Sequence, residues 1–159
     1  MKKSKNKIML FLSTLIFGVT LLFTMNYKII LNQSSSLPFS FVIVKKGELP
    51  QRIDDIFVFR IKNPKAYDKK EMLFIKLLAG KEGQNIEYKQ DLMFVGGKEI
   101  GIVKKMSLKG RLLEGIKTKT IKKKQFFAYT PHRDSYDSRY NEIGLINANQ
   151  IIGTAVFAY

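Results

Sequence analysis

The groups in this 159-residue chain whose types and spacing suit chemistry are serine hydroxyls, one lysine amine and a dense run of aspartate, serine and arginine. Cysteine is absent, which excludes disulfides, thiolate metal sites and thiol nucleophiles. Histidine occurs once, as His132, so multi-histidine metal centres are excluded and a Ser-His-Asp triad would depend on that residue. Three patches remain. Asn32-Gln33-Ser34-Ser35-Ser36-Leu37-Pro38 concentrates hydroxyls, and its composition also suits a plain linker. Lys76 sits inside Leu73-Phe74-Ile75-Lys76-Leu77-Leu78, where strand alternation puts Phe74 and Leu78 on its own face and Ile75 and Leu77 on the other. A strand apolar on both faces is usually buried on both. Burial disfavours the ammonium and lowers its pKa, and a neutral lysine is a usable general base. On an edge strand the same side chain would reach solvent instead. Residues 134–140, Asp134-Ser135-Tyr136-Asp137-Ser138-Arg139-Tyr140, suit a buried polar network with a bidentate Asp–Arg pair, or a charged surface loop.

These groups need elements to hold them, and the N-terminus supplies the first. Residues 1–7 carry Lys2, Lys3, Lys5 and Lys7 and no acid, and residues 8–25 then run 18 positions without a charge. At about 1.5 Å per residue this covers most of a roughly 30 Å hydrocarbon core. Lysines before the span predict a cytoplasmic N-terminus. No small-x-small cleavage signal follows Met25, so the reading is a retained anchor rather than a signal peptide, with residues 26–159 outside the cytoplasm. The whole chain has 28 basic and 13 acidic residues, net +15. Without the four anchor lysines, 24 basic residues against 13 acidic leave +11. Nucleic acid is not expected as a partner: Lys122-Lys123-Lys124 before Phe126-Phe127 is the sole basic-aromatic cluster, and it reads as a solvated turn beside a strand. The simplest use of the surplus is attraction to lipid headgroups.

From residue 38 onward the chain reads mainly as short strands. They are expected at residues 41–44, 53–61, 73–78, 85–95, 100–103, 125–129 and 151–159, with a short helix in the polar stretch 65–70. Gly96-Gly97 is a hairpin signal. The fold class is mainly β: a compact β-rich domain on a single N-terminal transmembrane helix.

In this order, the three patches resemble the membrane-anchored serine–lysine signal peptidases, most closely the conjugative-transfer branch of TraF type. That family carries an Asn-x-Ser/Thr-x-Ser-apolar-Pro motif after its anchor, matched by Asn32, Ser34, Ser36, Leu37 and Pro38. Asp55-Ile56-Phe57-Val58-Phe59 is similar to its next strand. Phe74-Ile75-Lys76 with Gly80 and Gly83 is similar to its lysine strand and Gly-x-x-Gly turn. Val95-Gly96-Gly97 and Gly110-Arg111 follow, and residues 134–140 fit Asp-Ser-x-Asp-Ser-Arg-Tyr at every fixed position. The likeness extends through Gly144 and residues 151–155, to cover roughly residues 8–159. Four positions depart from the pattern: Ser40 and Asp54 stand where glycine is usual, Leu77 replaces an arginine, and Gln84 replaces an aspartate.

The resemblance implies a signal-peptidase-like catalytic domain and acyl transfer by an activated serine, with no cofactor or metal. Ser36 would be the nucleophile, with Ser35 as its rival, and Lys76 the general base. Ser34 and the Ser36 N–H would stabilise the oxyanion. Ser135 would orient Lys76, with Asp137 and Arg139 bracing the site; His132 is not needed. The partners implied are an exported precursor or a conjugative pilin as substrate, membrane lipid, and other proteins of a conjugation apparatus. The location implied is the inner (cytoplasmic) membrane, single-pass, with the N-terminus cytoplasmic and the catalytic domain periplasmic or otherwise extracytoplasmic. A catalytically silent, membrane-anchored structural subunit of such an apparatus is the alternative.

Overall fold

A computed structural model of the chain describes residues 2–67 and 69–159, with side chains from Asn6 onward. The basic tail at residues 1–7 therefore lies partly outside the described residues, which leave out the side chains of Lys2, Lys3 and Lys5. A charge-free, mainly apolar run from Ile8 to Met25 carries α1 (Lys2–Asn26), of which Asn6–Asn26 has mean hydropathy 2.3 and no buried residue. It is long and apolar enough to cross a membrane. β1 (Tyr27–Leu31) follows without a linker, where no strand was expected.

Then come β2 (Phe41–Lys46), β3 (Ile56–Lys62), β4 (Glu71–Gly80), β5 (Asn85–Lys89), β6 (Leu92–Val95) and β7 (Lys98–Ile102). The chain closes with β8 (Lys119–Thr120), β9 (Gln125–Tyr129), β10 (Ile146–Asn147), a 3-10 turn Ala148–Gln150 and β11 (Ile151–Ala158). The mainly β expectation holds, with three local corrections. Residues 85–95 form two strands, because Gln90 and Asp91 both take positive φ (48° and 67°) and close a tight hairpin. No helix forms among the described residues of 65–70, where the chain makes turns. The strand expected from residue 53 starts at Ile56, since Asp54 turns into the left-handed region at φ 69°. The lysines at 122–124 are exposed and precede β9, as expected.

The large sheet is antiparallel throughout, ordered β1-β2-β11-β3-β4-β9-β10, and a second sheet runs β7-β6-β5-β8. Alternation gives β3 and β4 two apolar faces. On one, Phe57, Phe59, Phe74 and Leu78 pack with Ala128 and Ile146. On the other, Val58 and Ile75 pack with Ile30, Leu37, Val42 and Val44. A third cluster, including Ile86, Met93, Ile121 and Phe127, joins the small sheet to the end of β4. Gly80 is required at that junction, because a side chain there would overlap Val95 and Ile121. Two of the open strand edges bear on the site. Among the described residues, β1 has no partner outside β2, and β4 meets β9 only from Leu77 onward, leaving residues 71–76 unpaired on that side.

Candidate active site

Lys76 lies on the β4 face shared by Phe74 and Leu78, opposite Phe57 of β3, and only 5% of it is exposed. Burial removes the water that would stabilise its ammonium and lowers its pKa from 10.5 to about 8. Asp137 pulls the value up and Arg139 pushes it back down, each by a smaller amount. Nζ donates to Ser135 Oγ at 2.8 Å, a bond that fixes the amine at the end of its four-carbon stem.

The serine patch is an ordered loop, because Asn32 organises it from within. Asn32 Nδ2 donates to the carbonyls of Phe39 (2.8 Å) and Leu37 (3.2 Å), while its Oδ1 accepts from the N–H and Oγ of Ser34 (3.1 and 3.2 Å). Leu37 drops into the core beside Val42 and Ile75 and pins the loop from below. Ser34 Oγ and Ser36 Oγ lie 2.9 Å apart. Among the described residues, the Ser36 N–H has no protein acceptor and Ser35 Oγ makes no hydrogen bond.

The third patch is fastened to β9. The Ser138 N–H donates to the Ala128 carbonyl at 2.9 Å, and Ser138 Oγ accepts from the Ala128 N–H at 3.0 Å. Arg139 grips Asp137 in bidentate fashion, Nε and Nη2 each at 2.9 Å, with both side chains almost wholly buried. The same guanidinium donates to the carbonyls of Ile102 and His132, and Asp137 accepts from the Thr130 N–H. A buried ion pair persists when further hydrogen bonds satisfy it, and this one has them. Its effect is to hold the backbone on either side of Ser135.

These pieces meet in one groove of about 810 Å³, lined by Ser34, Ser35, Ser36, Lys76 and Ser135. Both open edges, residues 28–31 of β1 and 71–76 of β4, border it. Lys76 is bonded to Ser135 rather than to Ser36. Asp137 and Arg139 stand behind the wall, not on it. His132 also lines the groove; its Nδ1 accepts from the Asp134 N–H at 3.1 Å, a loop-shaping contact.

Several residues had no assigned role in the sequence. Asn32 was visible only as a motif position. Arg111 donates to both Glu142 oxygens (2.5 and 2.7 Å) and lies over the Tyr136 ring, while the Tyr136 hydroxyl donates to Glu142. Burial, then this bond, raises the Tyr136 pKa to about 12. Gly110-Arg111 carried a signal for this contact; Glu142, outside every motif, carried none. Two departures from the family pattern also acquire reasons. Asp54 holds the positive φ that glycine adopts freely. Gln84 closes its turn by accepting from the Lys81 N–H at 2.8 Å.

The chain thus combines an apolar N-terminal helix, a β-rich domain and a groove lined by serines and a buried lysine. Residues 3–159 match the signal peptidase family, peptidase S26, and the chain belongs to that family. It is similar to a signal peptidase I of Bacillus amyloliquefaciens, 30% identical over 102 residues, which are 58% of this chain and 51% of that protein. The chain thus spans about half the length of this curated relative. Among solved structures, a signal peptidase I of Enterococcus faecalis V583 aligns with a TM-score of 0.44 at 21% identity, covering 67% of this chain and 97% of that one.

Proposed function

We propose that the protein is a membrane-anchored serine endopeptidase that cleaves exported precursor proteins, with Ser36 as nucleophile and Lys76 as general base. The observation that carries this reading is a lysine 5% exposed, with its pKa near 8, opening onto the same groove as a serine loop. Neutral Lys76 takes the Ser36 hydroxyl proton as Oγ attacks the scissile carbonyl carbon. The tetrahedral oxyanion is met by the unpartnered Ser36 N–H and by the Ser34 hydroxyl, which turns from Ser36 to donate. Lys76 returns the proton to the departing amine, the C–N bond breaks, and water, deprotonated by Lys76, releases the acyl chain from Ser36. Ser135 orients Lys76, and Asp137 with Arg139 keeps Ser135 in place. An extended substrate segment can hydrogen-bond the open edges of β1 and β4, the groups a sheet edge leaves unsatisfied.

Helix α1 would hold the domain at the inner membrane, N-terminus cytoplasmic, where substrates are delivered by their own membrane segments. The narrower reading, maturation of a conjugative pilin alongside other apparatus proteins, is supported by the motifs at 32–38 and 134–140. The test is co-expression with a candidate prepilin and with a general exported precursor, comparing Ser36→Ala, Lys76→Ala and Ser35→Ala. Loss of processing in the first two and retention in the third is expected. Unchanged processing in both Ser36→Ala and Lys76→Ala would leave the structural-subunit alternative in its place. Mass spectrometry of the mature pilin decides the narrower reading.

A further inference from the structure

A second cavity of about 450 Å³ opens beside the groove and shares Tyr67, Leu108, Asp134, Ser135 and Tyr136 with it. Its own wall is basic: Lys65, Lys104, Lys109 and Arg111 line it, against Asp134 on the wall and Glu142 behind Arg111. Among the described residues, Lys104 is paired with Asp134 and Arg111 with Glu142, whereas Lys109 has no ion pair. Among the described residues, Arg111 Nη2 is buried and has no hydrogen-bond partner.

The cavity also lies in a definite direction. Ser135, common to both spaces, bonds the Lys76 amine, which on the reading above must protonate the leaving nitrogen. The open strand edges border the groove alone and suit the acyl side of the substrate. The departing chain then runs past Ser135 into the basic cavity. We propose that this cavity is a subsite for an aspartate or glutamate side chain of the substrate, within the first few residues after the scissile bond. The proposal deepens the peptidase reading and rests on it for the direction of the substrate.

The test uses the full chain in non-ionic detergent and C-terminally amidated peptides that share an Ala-x-Ala cleavage sequence. They carry Asp, Asn or Lys at positions one to four after the cut, so the only variable carboxylate is the side chain. Partly exposed ion pairs contribute modestly, so the Asp peptide is expected to exceed its Asn counterpart in kcat/KM by about two- to fivefold at one position. The ratio should fall toward one in Lys65→Gln/Lys109→Gln, and the Lys peptide should become preferred in Lys65→Glu/Lys109→Glu. Lys98→Gln, on β7, should keep the wild-type ratio. Equal rates for Asp and Asn peptides at all four positions, or an unchanged ratio in the double glutamine variant, would overturn the proposal. Binding of the same peptides to Ser36→Ala, read by fluorescence anisotropy, separates this from failure of the peptidase reading. Tighter binding of the Asp peptide, lost with the two lysines, supports the subsite even where no peptide is cut. No difference in binding overturns it even where cleavage is normal.

Discussion

On the mechanism proposed above, Lys76 would tie rate and stability to the same proton. With its pKa near 8, kcat/KM should rise about tenfold per pH unit below that value and level off above it. A pH–rate profile with a single ionisation near 8 is the expected outcome, and Lys76→Arg should abolish activity because guanidinium stays charged. The stability effect has a definite sign. Unfolded, the lysine keeps its proton to about pH 10.5; folded, it loses it near 8. Between these values the unfolded state binds more protons, so stability rises with pH, and below about 8 the burial penalty is fully present. From pH 7 to 9.5 the wild type should gain about 2 kcal/mol relative to Lys76→Met in denaturant titrations. Asp54 offers a second residue-scale test. Its φ of 69° penalises a Cβ-bearing residue, and aspartate tolerates it better than most. Asp54→Gly should change stability by less than about 0.5 kcal/mol, while Asp54→Val should cost about 1–2 kcal/mol by thermal denaturation.

Among the elements, β4 was readable because its composition is doubly apolar; that pattern singled out Lys76 and offered its burial as one of two placements, the other being a solvent-reaching edge strand. An Asp–Arg grip was one of two readings of residues 134–140, beside a charged surface loop; the structure shows it between Asp137 and Arg139. Other elements were hidden for physical reasons. β1 follows an 18-residue apolar run whose hydrophobicity masks a strand of the same composition, and only pairing with β2 distinguishes it. The β5–β6 turn uses Gln90-Asp91, and glutamine is no hairpin signal; strand pairing on both sides imposes its positive φ. The site loop looked like a linker because its order comes from one side chain, Asn32, reaching five and seven residues ahead. The 130–139 segment gives the element-scale prediction. Arg139→Met leaves Asp137 buried without its counter-charge and should cost about 3–5 kcal/mol, whereas Asp137→Leu/Arg139→Met should recover much of that loss. Denaturant midpoints of the two variants check it. Full recovery of stability with activity still lost would separate the pair's role in positioning Ser135 from its role in folding.

For the whole molecule, the division between an exposed apolar helix and a domain with its own core predicts how the chain tolerates truncation. Deleting residues 1–25 should leave a folded domain that cuts short peptides but no longer processes membrane-borne precursors. Extending the deletion through Leu31 removes β1 and buried Ile30, and the domain should lose stability as well. The surplus of +11 outside the helix should make the truncated domain bind anionic vesicles in low salt and release them near 0.5 M, where screening shortens to a few ångströms. The junction at Asn26–Tyr27 reaches further. No flexible residue separates α1 from β1; the Phe23 and Tyr27 rings stack at 5.3 Å, and Lys46 of β2 donates to the Thr24 carbonyl at 2.6 Å. Helix and sheet are thus clamped like a blade to its handle. With α1 spanning a bilayer as proposed, a membrane thinner than its apolar length is expected to tilt the helix. The clamp would carry that tilt into the height at which the groove meets its substrate, making bilayer thickness a dial on the proposed activity.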